Sequence, residues 1–126
     1  MEIIKLEKAY EDSRGYIKDL ISNDEINAVT FITFAKGAIR ANHYHKNTIQ
    51  WNFVLSGEIL LVTQFPEGKI NEKILKKGDF VLTQKNERHA LKGLTNAEIL
   101  ILTKGPRSGS QYEVDTFRLD IPLIKE

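Results

Sequence analysis

The chain has 126 residues, 41% hydrophobic and 28% charged, a balance that fits one soluble globular domain and excludes an extended disordered chain. Its net charge of +1 gives no electrostatic footprint for nucleic acid or an anionic membrane. It has no cysteine, so disulfides, zinc ribbons and thiol nucleophiles are excluded.

In chain order, the N-terminus Met1-Glu2-Ile3-Ile4-Lys5 lacks the basic start and long apolar run of a signal peptide. No stretch reaches the roughly 20 apolar residues of a membrane span. These features, with the absence of cysteine, suit a cytoplasmic protein. Strands are predicted at 3–6, 16–21, 28–34, 51–55, 59–65, 69–75, 80–83 and 98–103, where apolar and β-branched residues gather. Gly-containing turns punctuate them, among them Ser13-Arg14-Gly15, Ala35-Lys36-Gly37, Ser56-Gly57 and Lys76-Lys77-Gly78-Asp79. No long segment holds apolar residues at helical spacing. Gly105 to Ser110 reads as a loop, followed by a piece, 112–124, that lies across the barrel or on a partner subunit. Many short strands with frequent turns predict one all-β domain, 1–126, a sandwich or barrel.

Only three histidines are present: His43, His45 and His89. On a strand, His43 and His45 share one face and Tyr44 takes the other. Lys46-Asn47-Thr48 is polar and turn-like, so a new antiparallel strand starts at Ile49. Gln50, Asn52 and Val54 then face one way, and Trp51, Phe53 and Leu55 the other. Two polar residues on the histidine side mark a polar pocket within a barrel. His89 follows a turn and strand, 78–83, and opens another strand. A lone histidine is ordinarily a core or surface residue. Three at these positions point to a shared site.

The residues leave two chemistries open. Neutral imidazoles are common metal ligands, and His43, His45 and His89 with Gln50 give four donors for one divalent ion such as Zn, Mn, Fe or Ni. An amide is a poorer ligand than a carboxylate. Alternatively, His43 and His45 move protons beside a carbonyl, since an imidazole titrates at about 6.5. Gln50 then donates its amide N–H to the ketone or enolate oxygen. Tyr16, Tyr44 and Tyr112 are candidate acids or stacking partners. Arg88 is read as facing away from its neighbour His89.

The spacing resembles the cupin family of small double-stranded β-helix barrels of jelly-roll type. Gly37, His43, His45, Gln50 and Gly57 match its first motif, with Gln in place of Glu. Gly78 and His89 match its second, where Gln84, Asn86 and Gly93 replace the usual Pro, Gly and Asn. The run Arg40-Ala41-Asn42-His43-Tyr44-His45-Lys46, with Gln50, Gly57 and the early Asp12-Ser13-Arg14-Gly15, is similar to the sugar-nucleotide branch of the cupins. That branch holds 3,4-ketoisomerases and 3- or 3,5-epimerases acting on nucleoside-diphosphate 4-keto-6-deoxy sugars for surface polysaccharides.

The resemblance implies a ketoisomerase or epimerase with His43 and His45 carrying the proton. Gln50, Asn52 and His89 would position the substrate, with Arg14 and Arg40 near its diphosphate. It implies a homodimer and no required cofactor; the absence of a Gly-rich phosphate loop agrees with the lack of a nicotinamide. The other readings are a metal-dependent cupin, either dioxygenase or metal-assisted isomerase, and a non-catalytic sugar-binding module.

Overall fold

The computed structural model describes residues 1–107 and 110–126. Ser108 and Gly109, part of the expected 105–110 loop, lie outside the described residues. The chain runs through β1 (Glu2–Ile4), β2 (Lys8–Asp12), β3 (Gly15–Lys18), β4 (Ala28–Phe34), β5 (Ile39–Tyr44) and β6 (Ile49–Ser56). It continues through β7 (Glu58–Gln64), β8 (Asn71–Lys76), β9 (Phe80–Thr83), β10 (Arg88–Gly93), β11 (Ala97–Lys104), α1 (Gln111–Val114) and β12 (Phe117–Arg118).

Two five-stranded antiparallel sheets form the body, ordered β1-β9-β6-β11-β4 and β12-β5-β10-β7-β8. From β4 to β11 the chain alternates between the sheets at every connection except the β7–β8 hairpin. The result is an all-β jelly-roll barrel: the turn-punctuated strands predict a sandwich or barrel, and the cupin resemblance implies this form of it. The strands expected at 28–34 and 80–83 form with those bounds.

Three strands escape the sequence pattern, one of them the two-residue β12 on the edge of β5. β2, Lys-Ala-Tyr-Glu-Asp, has no apolar face to bury and exists as the partner of β3 in a separate hairpin. β5 is interrupted by Ala41 and Asn42, both at positive φ (70° and 56°). The pairing skips Asn42 there: His89 faces His43 and Ala90 faces Ala41. This bulge breaks the period-two pattern by which a strand is read. Asn42 uses it well: Oδ1 accepts the Leu123 and Ile124 N–H groups at 2.8 and 3.2 Å, and Nδ2 donates to Ile124 O at 3.0 Å. The C-terminal tail is thereby fastened to the outside of the second sheet, where Ile124 packs on Val62 and Ala90.

The core sits between the sheets. Val54, Ile59, Leu61, Leu75, Val81 and Ile99 are all but inaccessible. Each such side chain stabilises the fold by roughly 1.5–3 kcal/mol through burial. Gly57 turns β6 into β7 at φ 79°, and a Cβ there would stand 2.3 Å from Asn96 O, so only glycine fits.

Candidate active site and metal centre

Toward one end of the barrel the inward-facing residues turn polar. On the first sheet Gln50 pairs with Thr83 and Thr103. On the second, His89 pairs with His43 and Thr63. His45 follows β5 at the turn before β6. All three histidines are buried. Their ring centroids lie 4.7 Å apart for His43–His45 and for His43–His89, and 5.3 Å apart for His45–His89. One nitrogen from each falls within 4.8 Å of the other two.

The backbone sets which nitrogen faces inward. His45 Nδ1 lies 2.9 Å from Asp115 O, and His89 Nδ1 lies 3.0 Å from Glu87 O. A carbonyl only accepts, so both Nδ1 atoms carry the proton and both Nε2 atoms present a lone pair. His45 Nε2 is buried with no hydrogen-bond partner. An orphaned buried acceptor costs about 1–3 kcal/mol, so it marks a position that a ligand completes.

Burial drives all three imidazoles toward the neutral form. His43 is pushed down to about 2, chiefly by burial and then by His89, His45 and Arg118. His89 falls to about 4, by burial first; its bond to Glu87 O opposes the fall and His45 adds to it. His45 is lowered by burial against the opposing pull of Asp115 and Gln50. Neutral imidazoles with free, convergent nitrogens have the donor chemistry of a divalent-metal site, and Gln50 can add an amide oxygen. They are correspondingly weak proton acceptors.

The cavity beside the histidines has a volume of about 370 Å³. Arg40, Gln50 and Asn52 line it together with His43 and His89. Arg40 donates to Thr33 O at 3.1 Å, and its guanidinium lies 5.4 Å from the Phe34 ring centre. Asn52 Nδ2 donates to Val81 O at 3.2 Å.

Arg14 is a correction. It sits at the turn of the β2–β3 hairpin, 84% exposed, with its guanidinium on Asp12 at 2.6 Å, and it does not reach the cavity of its own chain. Tyr16 is exposed on the same hairpin between Lys8 and Lys18. Tyr44 points outward, stacked on Phe117 at 5.3 Å with Arg88 over its other side at 5.0 Å. Arg88 thus faces away from the site as expected.

Several wall residues were not singled out from sequence. Arg107, Glu113, Thr116 and Arg118 join Tyr112 along the cavity. All come from the C-terminal segment, which folds back so that Arg118 pairs with His43. The Tyr112 ring lies 5.4 Å from His45 and 6.4 Å from His43, with Arg107 over it at 4.1 Å. Burial raises the Tyr112 hydroxyl above its ordinary value, so it stays protonated.

Comparison with known proteins agrees with this geometry. The model of the cupin domain matches residues 30–103. The chain belongs to the cupin family. This cupin is 37% identical over 93 residues, 74% of its length and 80% of the relative's, to the pectin degradation protein KdgF of Dickeya dadantii (strain 3937). Its barrel is similar to the TDP-quinovose 3,4-ketoisomerase WlaRB of Campylobacter jejuni (TM-score 0.78, 22% identity, 94% of this chain and 92% of that one). It is equally similar to a 3,4-ketoisomerase of Helicobacter canadensis (TM-score 0.78, 20% identity, 94% and 90%). At those identities the structural likeness speaks for the fold.

Proposed function

We propose that this cupin is a metal-assisted isomerase of a small anionic sugar, with His43, His45, His89 and Gln50 holding the ion. The observation that carries the reading is the convergence of three neutral imidazoles on one point, with His45 Nε2 unpartnered. A bound divalent ion would polarise a sugar carbonyl as a Lewis acid. The chain's own residues supply the rest. Arg40, Arg107 and Arg118 surround the mouth with fixed positive charge that pairs with a carboxylate in a fork. Glu113 is the one carboxylate among the described cavity residues, and it takes the proton from the carbon next to the carbonyl. The Tyr112 hydroxyl returns a proton. Returned to the old carbonyl carbon, with the neighbouring hydroxyl proton passing to the old carbonyl oxygen, it moves the carbonyl; returned to the opposite face of the same carbon, it inverts the centre. In each case one C–H bond breaks and one forms, with no redox partner.

A relative named for pectin degradation supports a uronic acid as the substrate, because pectin is a polymer of sugar carboxylates. A cavity of about 370 Å³ lies near the low end of small-molecule sites, about 300–1,000 Å³, which suits a single sugar.

The second reading keeps a nucleoside-diphosphate 4-keto-6-deoxy sugar, with His43 and His45 moving the proton. It draws on the ketoisomerase barrels and on an arginine trio that would equally suit a diphosphate. In either case we read the protein as a homodimer. Val29 and Phe31 are exposed on β4, the free edge of its sheet, and a second copy would cover them.

The test pairs metal analysis of untagged protein with deuterium exchange in D₂O, using a keto-uronate and a 4-keto-6-deoxy nucleotide sugar. Exchange into the uronate that a chelator stops and metal restores supports the first reading. Chelator-insensitive exchange into the nucleotide sugar, lost in His43→Ala, supports the second. Binding without exchange would reduce the protein to a sugar-binding module.

A further inference from the structure

Asp115 holds two structures together. It closes α1 and lies two residues before β12, so it sits in the segment that brings Tyr112 and Arg118 to the cavity. Its carboxylate is buried and takes up the loop between β5 and β6. Oδ2 accepts the Thr48 hydroxyl at 2.6 Å and the Asn47 N–H at 3.0 Å. Oδ1 accepts the Lys46 N–H at 3.0 Å. Its main-chain carbonyl accepts His45 Nδ1–H at 2.9 Å. One residue therefore grips the 46–48 loop with its side chain and the neighbouring imidazole with its backbone.

These contacts are coupled by geometry. The carbonyl stays in register with His45 only while the segment 111–118 stays in place, and the carboxylate is what fastens that segment to the 46–48 loop. Without the carbonyl, either nitrogen of the neutral ring can carry the proton. A proton on Nε2 would turn the inward lone pair into an N–H and remove His45 as a metal ligand or proton acceptor. His89 has an independent anchor at Glu87 O in the β9–β10 turn.

We infer that Asp115 is a positioning residue, whose carboxylate fixes the tautomer of His45 and thereby aims Nε2 at the cavity. The inference rests on the reading of His45 as a site residue, and it holds whether the imidazole binds an ion or a substrate.

The test follows the histidine side chains of the chelator-treated full chain by long-range ¹H–¹⁵N correlation, alongside zinc titration. In the wild type, His45 shows a single form with the proton on Nδ1. Asp115→Ala gives mixed tautomers at His45, leaves His89 unchanged, and weakens zinc about 10–100-fold, as loss of an orienting partner does. Asp115→Asn keeps one of the two acceptor oxygens for the loop and gives a mixture between those of the wild type and Asp115→Ala. Thr48→Val removes one of the grips without touching the segment, and gives an intermediate mixture even if Asp115→Ala does not fold. The inference is overturned if folded Asp115→Ala, or Thr48→Val where that variant is unfolded, keeps the wild-type His45 pattern. Zinc that never binds the wild type would sink the metal reading, while the tautomer still decides the role of Asp115.

Discussion

The two ends of the barrel are built on the same strands by different rules. Along β6 the inward residues run Gln50, Asn52, Val54; along β10, His89 then Leu91; along β11, Ile99, Ile101, Thr103; along β9, Val81 then Thr83. One end is thus a dry packed plug and the other a polar cup. Of the three buried polar side-chain atoms without a partner among the described residues, His45 Nε2 and Thr103 Oγ1 lie at the polar end, while Arg88 Nη1 lies on the outer face by Tyr44. The plug supplies stability, and the cup spends some of it holding imidazoles neutral and unpaired.

Substitutions at the two ends should therefore dissociate. Leu61→Ala, at a fully buried position of the plug, is expected to cost about 2–5 kcal/mol in urea unfolding. Zinc affinity of the folded variant should stay at the wild-type level. His45→Leu should do the reverse: stability changes by about 1 kcal/mol or less, because the lost hydrogen bond is offset by removal of the orphaned nitrogen. Zinc uptake and turnover should vanish. A His45→Leu variant as unstable as Leu61→Ala would show that the cup is part of the core.

The next effect is on acid stability. The folded pKa of His89 is depressed to about 4, below the unfolded value of about 6.5. Below that unfolded value the unfolded chain binds a proton that the folded chain refuses. Stability therefore falls as pH drops from about 6.5 to about 4, by roughly 3 kcal/mol at His89. His43, pushed to about 2, adds its own loss over the same window and extends it further down. Urea unfolding of chelator-treated protein between pH 7 and 4 measures it. His89→Leu should reduce that slope by the share of His89 and leave those of His43 and His45, and a slope unchanged in this variant would place the acid sensitivity elsewhere.

Smaller again is Arg118→Ala, which on the anionic-sugar reading should raise KM roughly tenfold, about 1.4 kcal/mol, with less effect on kcat. An uncharged analogue should feel no such change.

The difference between the two ends also governs what the sequence discloses. His43, His45 and Gln50 are legible because they lie close along the chain, on two strands and a polar turn. His89 is legible from the turn before it and from the second motif. The plug is legible as apolar runs. Arg107, Asp115 and Arg118 are not, because the segment that carries them closes the cup from a distance and has almost no regular structure. Its place is set by Asp115 on the 46–48 loop and by Asn42 holding Leu123 and Ile124, contacts 67 to 82 residues apart in sequence. No local period encodes such pairs. The facing of Arg40 is hidden for a related reason: the bulge at Ala41 and Asn42 stands between it and His43, so strand alternation does not relate the two.

The smallest expected effect belongs to Arg14, and it is informative for that reason. The Asp12–Ser13–Arg14–Gly15 run matches a pattern in which an arginine meets the substrate, yet here its guanidinium is satisfied locally by Asp12 in full solvent. Exposed pairs of this kind contribute little to stability, because water screens them and two long side chains lose freedom. Within one chain, Arg14→Ala should leave unfolding, zinc affinity and turnover unchanged, in contrast to Arg118→Ala. Turnover measured across protein concentration sharpens the contrast. If Arg14→Ala lowered turnover only where the protein is dimeric, the hairpin of one copy would be serving the cup of the other, and the cup would be complete only in the dimer.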